Sequence, residues 1–342
     1  MPYKTVALNE FGGPNVLVVE NISEIPEPGP GEVRIKVLAC SAAYTDTLIR
    51  RGIYPDVKQK PPITLGYDMI GIVDRVGDGV SDLAEGDKVA GLSILGSYSE
   101  YMILAANKLV RVPGGLDDVE ALSLILSYVT AFQMLTRLAN VQPGDSVLIH
   151  GAGGAVGNAL VQLGAAMRLK MYGTASISQH DNLRELGCEP IDYKKDDFVH
   201  KMKSYAPKGV NAVFDAVGGD HFKRSLRVLA NHGTLVAYGS YNAASSAGLI
   251  KDFLLVRFWD LLPWLPSTAF YSIGAWHSKH HDWFREDLST LFQWLYEGKI
   301  RPAISHRMTL EEASKAHELL ESGQAKGKIV LLVGLSGIEK QH

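Results

Sequence analysis

Residues 150–164 read HGAGGAVGNALVQLG, with four glycines between positions 151 and 157. Within this stretch Ala152, Gly154 and Gly157 satisfy the spacing G/A-x-G-x-x-G. The apolar run Ser146–His150 precedes it and a helical pattern, Ala155–Met167, follows, so the glycines sit at a strand-turn-helix junction. Small residues there permit a tight turn, let the backbone approach a pyrophosphate, and let helix and strand pack closely. The main-chain amides of Ala152, Gly153, Gly154, Ala155, Val156 and Gly157 are the expected phosphate seat, because a helix start leaves its N–H groups unpaired. A glycine-rich core turn would look similar in isolation. The strand before it and the alternating elements after it favour the dinucleotide.

The end of the next strand helps to choose the dinucleotide. An NAD site places an acid about 20 residues on, where it holds the ribose hydroxyls. Here that place reads Gly173-Thr174-Ala175-Ser176, and the next carboxylate is Asp181. An acid would repel a 2′-phosphate, whereas Ser176, Ser178, His180 and Tyr193 offer it hydroxyls and an imidazole. NADPH is therefore the expected cofactor, with Thr174 in the same cofactor-binding set. The plain alternative is that these are polar loop residues.

The elements around the turn set the fold class. Short β-branched runs, Val33–Val37 and Ile70–Val76, are punctuated by glycine and proline, which predicts a mainly-β first third. Beyond about residue 120 strands alternate with helices: a strand near Met171–Thr174, a helix from Ser178 stopped by Gly187, Pro190–Tyr193, a helix in Asp197–Tyr205, Val210–Val217, a helix in Asp220–Ala230, and Thr234–Tyr238. That alternation predicts an α/β fold with a doubly wound parallel sheet. Glu311–Glu321 reads as a helix and Lys328–Val333 as a last strand.

Composition narrows the partners. The 342 residues have room for about two domains. The formal charge is −3, and the densest charged patch, Lys194-Lys195-Asp196-Asp197, neutralises itself, so no nucleic-acid partner is expected. The two cysteines, Cys40 and Cys188, stand outside any CxxC, which excludes a disulfide scaffold and a cysteine-rich zinc lobe. The N-terminal MPYKTVALNEFGG has no apolar signal core, and a cytoplasmic location is expected. Glycines interrupt the apolar stretch Ser146–Met167. Lys251, Asp252, Arg257, Asp260, Pro263 and Pro266 interrupt Ile250–Trp276, so no stable membrane insertion is expected and the latter reads as buried or interfacial.

Several stretches together resemble the medium-chain dehydrogenase/reductases, in particular the zinc-independent quinone oxidoreductase branch with the vesicle amine transport protein homologues. They are ACSAAYTDTLIRRGIYP (39–55), TLGYDMIGIVDRVGDGVSDLAEGDKV (64–89), HGAGGAVG (150–157), GTAS (173–176), IDY (191–193), FDAVGG (214–219), VAYGSY (236–241) and KGKIVLL (326–332). The resemblance implies a GroES-like mainly-β catalytic domain from residues 1–122 and 277–342, and a Rossmann dinucleotide-binding domain over 123–276. It also implies a homodimer and an active site in the cleft between the domains.

Zinc-dependent relatives carry Cys-His-Thr/Ser-Asp and Gly-His-Glu where this chain has Ala43-Tyr44-Thr45-Asp46 and Gly66-Tyr67-Asp68. Alanine and tyrosine replace the thiolate and the imidazole, so no metal is expected. The cluster His277-Ser278-Lys279-His280-His281, beside the charged run HDWFRED, reads as a solvated loop.

The chemistry left is hydride transfer from NADPH to a small apolar quinone or α,β-unsaturated carbonyl compound, whose oxygen takes up the charge. The resemblance puts an active-site tyrosine at Tyr54, able to hydrogen-bond the developing enolate, and makes Tyr67 either a second donor or a filler of the vacated metal space. Thr45 stands at the hydroxyl position that relays protons in zinc enzymes; ribose or substrate contact is the alternative. Further cofactor contacts carried over are Tyr44, Thr130, Gly218, Tyr238, Gly239, Ser240, Tyr241, Trp276 and Lys328. Phe253–Phe270 covers the substrate, forms a dimer contact, or simply fills the core. Two rival readings stand beside this one: an enoyl thioester reductase, which Tyr54 permits, and a non-catalytic NADPH-binding sensor or scaffold.

Overall fold

Glycine and proline cut the first third into short strands: β1 Tyr3–Leu8, β2 Leu17–Ile22, β3 Glu32–Ala42, β4 Ile63–Thr64, β5 Asp68–Val76, β6 Lys88–Leu92, β7 Tyr101–Ala105 and β8 Leu109–Arg111. Helices α1 Tyr44–Arg50 and α2 Asp118–Ser123 belong to the same stretch. The computed structural model describes residues 2–243 and 245–334. The chain divides into two compact units, Met1–Leu126 with His281–Gly298 and Pro302–His342, and Ser127–His280 with Lys299–Arg301.

In the second unit, α3 Val129–Gln133 precedes β9 Ser146–His150, α4 Ala155–Ala166, β10 Lys170–Ala175, α5 His180–Glu185 and β11 Cys188–Asp192. There follow α6 Phe198–Tyr205, β12 Val210–Asp215, α7 Asp220–Leu226, β13 Leu229–Ala237, α8 Ser246–Asp260, β14 Ser267–Phe270 and α9 Ile273–Lys279. The six strands form one parallel sheet in the order β11-β10-β9-β12-β13-β14. Renumbered within the unit this is 3-2-1-4-5-6, so the strand order reverses beside β9, the strand that ends in the glycine turn. One face is sealed by Leu148, Val213, Leu235, Phe198, Met202, Phe222, Val256 and Trp259.

The first unit is completed by α10 His281–Tyr296, β15 Ile304–Thr309, α11 Ala313–Glu321 and β16 Lys328–Leu332. Its larger sheet runs β15-β16-β3-β5-β6-β8, with β7 also on β3; a smaller one runs β2-β1-β4.

Two segments differ from the sequence reading. The stretch read as a solvated loop at 277–281 is the end of α9 and the start of α10, with His277 buried. Phe284, Leu288, Leu291, Phe292 and Leu295 recur at helical spacing along α10 and are all buried; Asp287 is buried with them, whereas Arg285 and Glu286 are exposed on the outer face. Helix α8, which overlaps the start of the stretch Ile250–Trp276 read as buried or interfacial, does both: Val256 and Trp259 are buried, whereas Leu254 and Phe258 are exposed. Among the described residues one helix, Asp118–Leu138, is long and apolar enough to cross a membrane by length and composition, and 83% of its apolar window is buried inside the protein.

Candidate active site

In the first unit the chain leaves β3 and enters α1 at Ala43, whose methyl cannot cap a helix. Asp46 takes over that task from inside the first turn. Its carboxylate accepts the Ala43 N–H at 2.9 Å and, from a second segment, the Gly66 N–H at 3.2 Å. The α1 start and Gly66-Tyr67-Asp68 are thereby tied together. Burial raises the Asp46 carboxyl to about 7, against the lowering effect of the Ala43 amide.

Tyr67 is fully buried on this segment. Its hydroxyl lies 3.3 Å from that of half-buried Tyr54, and the rings meet edge to face at 6.2 Å. Burial, then the neighbouring Tyr54, raises the Tyr67 phenol well above its ordinary range, so it keeps its proton at neutral pH. The pair is a source of O–H donors, with Tyr54 the member nearer solvent. Thr45 and Tyr44 are half-buried in the first turn of α1, and burial also raises the Tyr44 phenol.

Asp68 accepts hydrogen bonds from the Ser41 amide and hydroxyl, and pairs with Lys328 Nζ at 3.1 Å. The ammonium of Lys328, expected at the cofactor, is thus directed at a buried carboxylate, and the lysine is 4% exposed. A zinc ion needs three protein N, S or O donors. Ala43 has none, Tyr67 holds its proton, and Asp68 is already paired, so this set does not fit zinc. Cys40 lies in β3, and burial, then Asp68, raises its thiol well above the ordinary value.

In the second unit the turn after β9 needs glycine for two separate reasons. Gly151 has φ +67°, and a Cβ on Gly157 would lie 2.1 Å from the Gly151 carbonyl oxygen. Thr174 of β10 grips the start of the turn twice: its hydroxyl accepts the Gly151 N–H at 3.2 Å and its carbonyl accepts the Ala152 N–H at 3.0 Å. The Gly154 N–H donates to the Gly151 carbonyl at 3.0 Å. The phosphate seat is therefore narrower than the sequence suggests, because Ala152 and Gly154 have their amides committed. Those of Gly153, Ala155, Val156 and Gly157 have no hydrogen-bond partner among the described residues. They stand at the positive end of the 12-residue helix α4.

The Ser176 and Ser178 hydroxyls lie 3.2 Å apart after β10, and Tyr193 is exposed after β11. His180 is buried with Nε2 3.4 Å from the Ala175 carbonyl oxygen, so its imidazole points back into the fold. Gly218 has φ +85° and passes so close to Ser240 that a Cβ would fall 1.9 Å from the serine Oγ. Ser240 donates to Asp252, which also accepts the Gly219 N–H at 2.9 Å. Tyr238 donates to the His150 carbonyl at 3.5 Å, Gly239 packs on Ala216, and the Tyr241 N–H donates to the Ala216 carbonyl at 2.9 Å. These residues gather at the ends of β12 and β13. Thr130 is buried on α3, and Trp276 on α9 lies against Tyr271.

Asp46 as a clamp was not anticipated, and neither was a buried network of His150, Thr174, Asp215, His221 and Ser225. Their separations in the chain are irregular, so spacing gave no signal. The only hint was Asp215 inside the FDAVGG stretch.

A glycine turn at the reversal of a 3-2-1-4-5-6 parallel sheet is the mark of a dinucleotide-binding domain. Residues 29–114 match the alcohol dehydrogenase GroES-like domain, and residues 186–331 match the zinc-binding dehydrogenase family. The chain belongs to the medium-chain dehydrogenase/reductase superfamily and is an oxidoreductase of that group. It is 33% identical to a 2-haloacrylate reductase of Burkholderia sp over 95% of this chain and 97% of that protein. It is 31% identical to the human synaptic vesicle membrane protein VAT-1 homolog over 97% of this chain and 86% of that one. The crystal structure of Escherichia coli quinone oxidoreductase complexed with NADPH superposes with a TM-score of 0.85 at 27% identity, over 96% of this chain and 99% of that chain.

Proposed function

We propose that the protein is a zinc-independent, NADPH-dependent reductase of quinones or α,β-unsaturated carbonyl compounds. The observation that carries this reading is the Tyr54–Tyr67 hydroxyl pair, 3.3 Å apart, with Tyr67 in the segment that resembles the Gly-His-Glu stretch of the zinc enzymes. NADPH, when bound, supplies the hydride.

The chain's own residues do the rest. The amides of Gly153, Ala155, Val156 and Gly157 bind the pyrophosphate at the start of α4. Ser176 and Ser178 face the 2′-phosphate, with no carboxylate beside them on β10. Gly218, Tyr238, Gly239, Ser240 and Tyr241 line the nicotinamide side. Tyr54, backed by Tyr67, donates a hydrogen bond to the acceptor oxygen as charge builds there, and passes it a proton. Thr45 contacts ribose or substrate. Such an acceptor needs no Lewis acid, because conjugation already carries the charge to its oxygen. The 2-haloacrylate and quinone reductases among the relatives act, by name, on conjugated acceptors of this kind.

The test is NADPH consumption by the purified protein over a panel of quinones, enones, 2-haloacrylates and enoyl thioesters. Turnover with at least one of the first three is expected, and Tyr54→Phe is expected to lower kcat about a hundredfold with that acceptor. Activity confined to enoyl thioesters would select the rival reductase. No turnover with any acceptor ends the assignment.

A further inference from the structure

Behind the glycine turn five side chains form a closed polar path. Thr174 Oγ1 lies 3.1 Å from His150 Nδ1, and His150 Nε2 lies 3.2 Å from Ser225 Oγ. Ser225 Oγ lies 2.7 Å, and His221 Nδ1 2.8 Å, from Asp215 Oδ2. The second carboxylate oxygen accepts the Val217 N–H at 2.8 Å. His150, Thr174, Asp215 and Ser225 are all buried.

The direction of each bond follows from counting protons. An ionised carboxylate only accepts, so Ser225 must give its single proton to Asp215. Ser225 can then only accept from His150, which places the imidazole proton on Nε2. His150 is neutral, since burial lowers it to about 3 against the opposing charge of Asp215. Its Nδ1 is therefore bare, and Thr174 must donate to it. The Thr174 oxygen is left to accept the Gly151 N–H of the turn. Every link runs one way, from the turn to the carboxylate.

We propose that Asp215 is a positioning residue for the dinucleotide turn: through Ser225, His150 and Thr174 it fixes the Gly151 amide, and so the conformation in which the next four free amides face a phosphate. The proposal rests on the dinucleotide-binding reading above, and deepens it. Arrangement in one direction matters because a reversed imidazole would point an N–H at the threonine and free its hydroxyl to turn away from the chain. The atoms of His150, Asp215 and His221 also lie within 4.8 Å of one another, close enough to hold a cation instead. Each of the three already has hydrogen-bond partners: His150 in Thr174 and Ser225, and Asp215 and His221 in each other.

Two measurements decide. Proton–nitrogen NMR of the unliganded wild-type protein should show His150 as the neutral tautomer protonated at Nε2. Asp215→Asn, which offers one acceptor and one amide where two donors converge, should move it toward the Nδ1-protonated form. NADPH binding, followed by its fluorescence, should weaken about tenfold in Thr174→Val and in Asp215→Asn. Thr174→Ser, which keeps the hydroxyl, should recover most of that loss. A wild-type His150 protonated at Nδ1 or at both nitrogens overturns the proposal. So does a stoichiometric divalent cation in the purified protein that His221→Ala releases. Wild-type binding left unchanged by Thr174→Val sinks the positioning role alone. A wild-type protein that binds no nicotinamide dinucleotide sinks the proposed function as well, while the tautomer measurement still reports on the network.

Discussion

Asp46 in the first unit and Asp215 in the second are both fully buried, and their protons settle in opposite ways. Burial raises Asp46 to about 7; its two backbone donors, at 2.9 and 3.2 Å, and the repulsion from Asp68 leave that rise in place. Burial pushes Asp215 the same way, but the His150 and His221 imidazoles and the Ser225 hydroxyl outweigh it, and the carboxyl stands at about 2. The contrast shows that burial alone does not set a charge; the number and kind of donors around the oxygens does. One carboxyl clamps two chain segments and is about half-protonated at pH 7. The other is the fixed negative end of a hydrogen-bond chain.

The largest expected difference is in stability on removal. Asp215→Ala leaves the His221 and Ser225 donors and the Val217 amide without their acceptor, and is expected to lower stability by about 4 kcal/mol. Asp46→Ala strips two backbone amides of a group that is half-neutral at pH 7, with an expected loss of about 2 kcal/mol. Denaturant unfolding of the two variants at pH 7 measures both. Equal losses, or a larger one for Asp46→Ala, would break the contrast.

Neither carboxylate was legible as such in the sequence. The glycine turn was, because a turn of this kind places all its determinants within eight residues; so was the parallel sheet, from strands alternating with helices. The clamp and the hydrogen-bond chain were not. Asp46 meets Gly66 across 20 positions, and His150 meets Ser225 across 75. Such pairs exist only once the sheets are built. Helix α10 was missed for a different reason. Its apolar period was present at Phe284, Leu288, Leu291 and Leu295, but the charges of HDWFRED outweighed it in a reading by composition. Tyr67 was readable as a replaced metal ligand, yet its role as the buried partner of Tyr54 needed the 3.3 Å contact.

Buried groups whose protons settle in opposite ways should also respond to acid with opposite signs. His150 and His317 are each lowered by burial to about 3, so between pH 3 and their unfolded value of about 6.5 the unfolded chain holds protons that the folded chain lacks. Their contribution is intact above that window and is lost as pH falls through it. Asp46 is raised instead: between its unfolded value of about 3.9 and its folded value of about 7 the folded chain holds the extra proton, so stability falls as pH rises. From about pH 4.5 to 6 these three groups leave a net uptake of one proton on unfolding, two from the histidines less one from Asp46, or about 1.4 kcal/mol of stability gained per pH unit. Asp46→Asn should steepen that slope to about 2.8 kcal/mol per unit, and His150→Phe should flatten it. Denaturant midpoints at three pH values across the window give the slopes. A His150→Phe variant with the wild-type slope would mean that the histidine is charged in the folded chain, and the contrast with Asp46 would lose its second half.

The smallest effect is expected from a carboxylate placed where there is none. Ser176 is half-buried at the end of β10, near the exposed Ser178, so an acid there keeps enough water to stay ionised without the donors that Asp215 requires. Ser176→Asp should weaken NADPH binding about fivefold through repulsion of the 2′-phosphate, and leave NADH binding nearly unchanged. The penalty should shrink as salt is raised, because the Debye length falls to about 3 Å at 1 M. At the buried Asp215 no such salt dependence is expected, since its charge interacts through protein rather than solvent. Equal weakening of NADPH and NADH by Ser176→Asp would mean that the end of β10 does not face the 2′-phosphate, and the choice of cofactor would have to be argued from other residues.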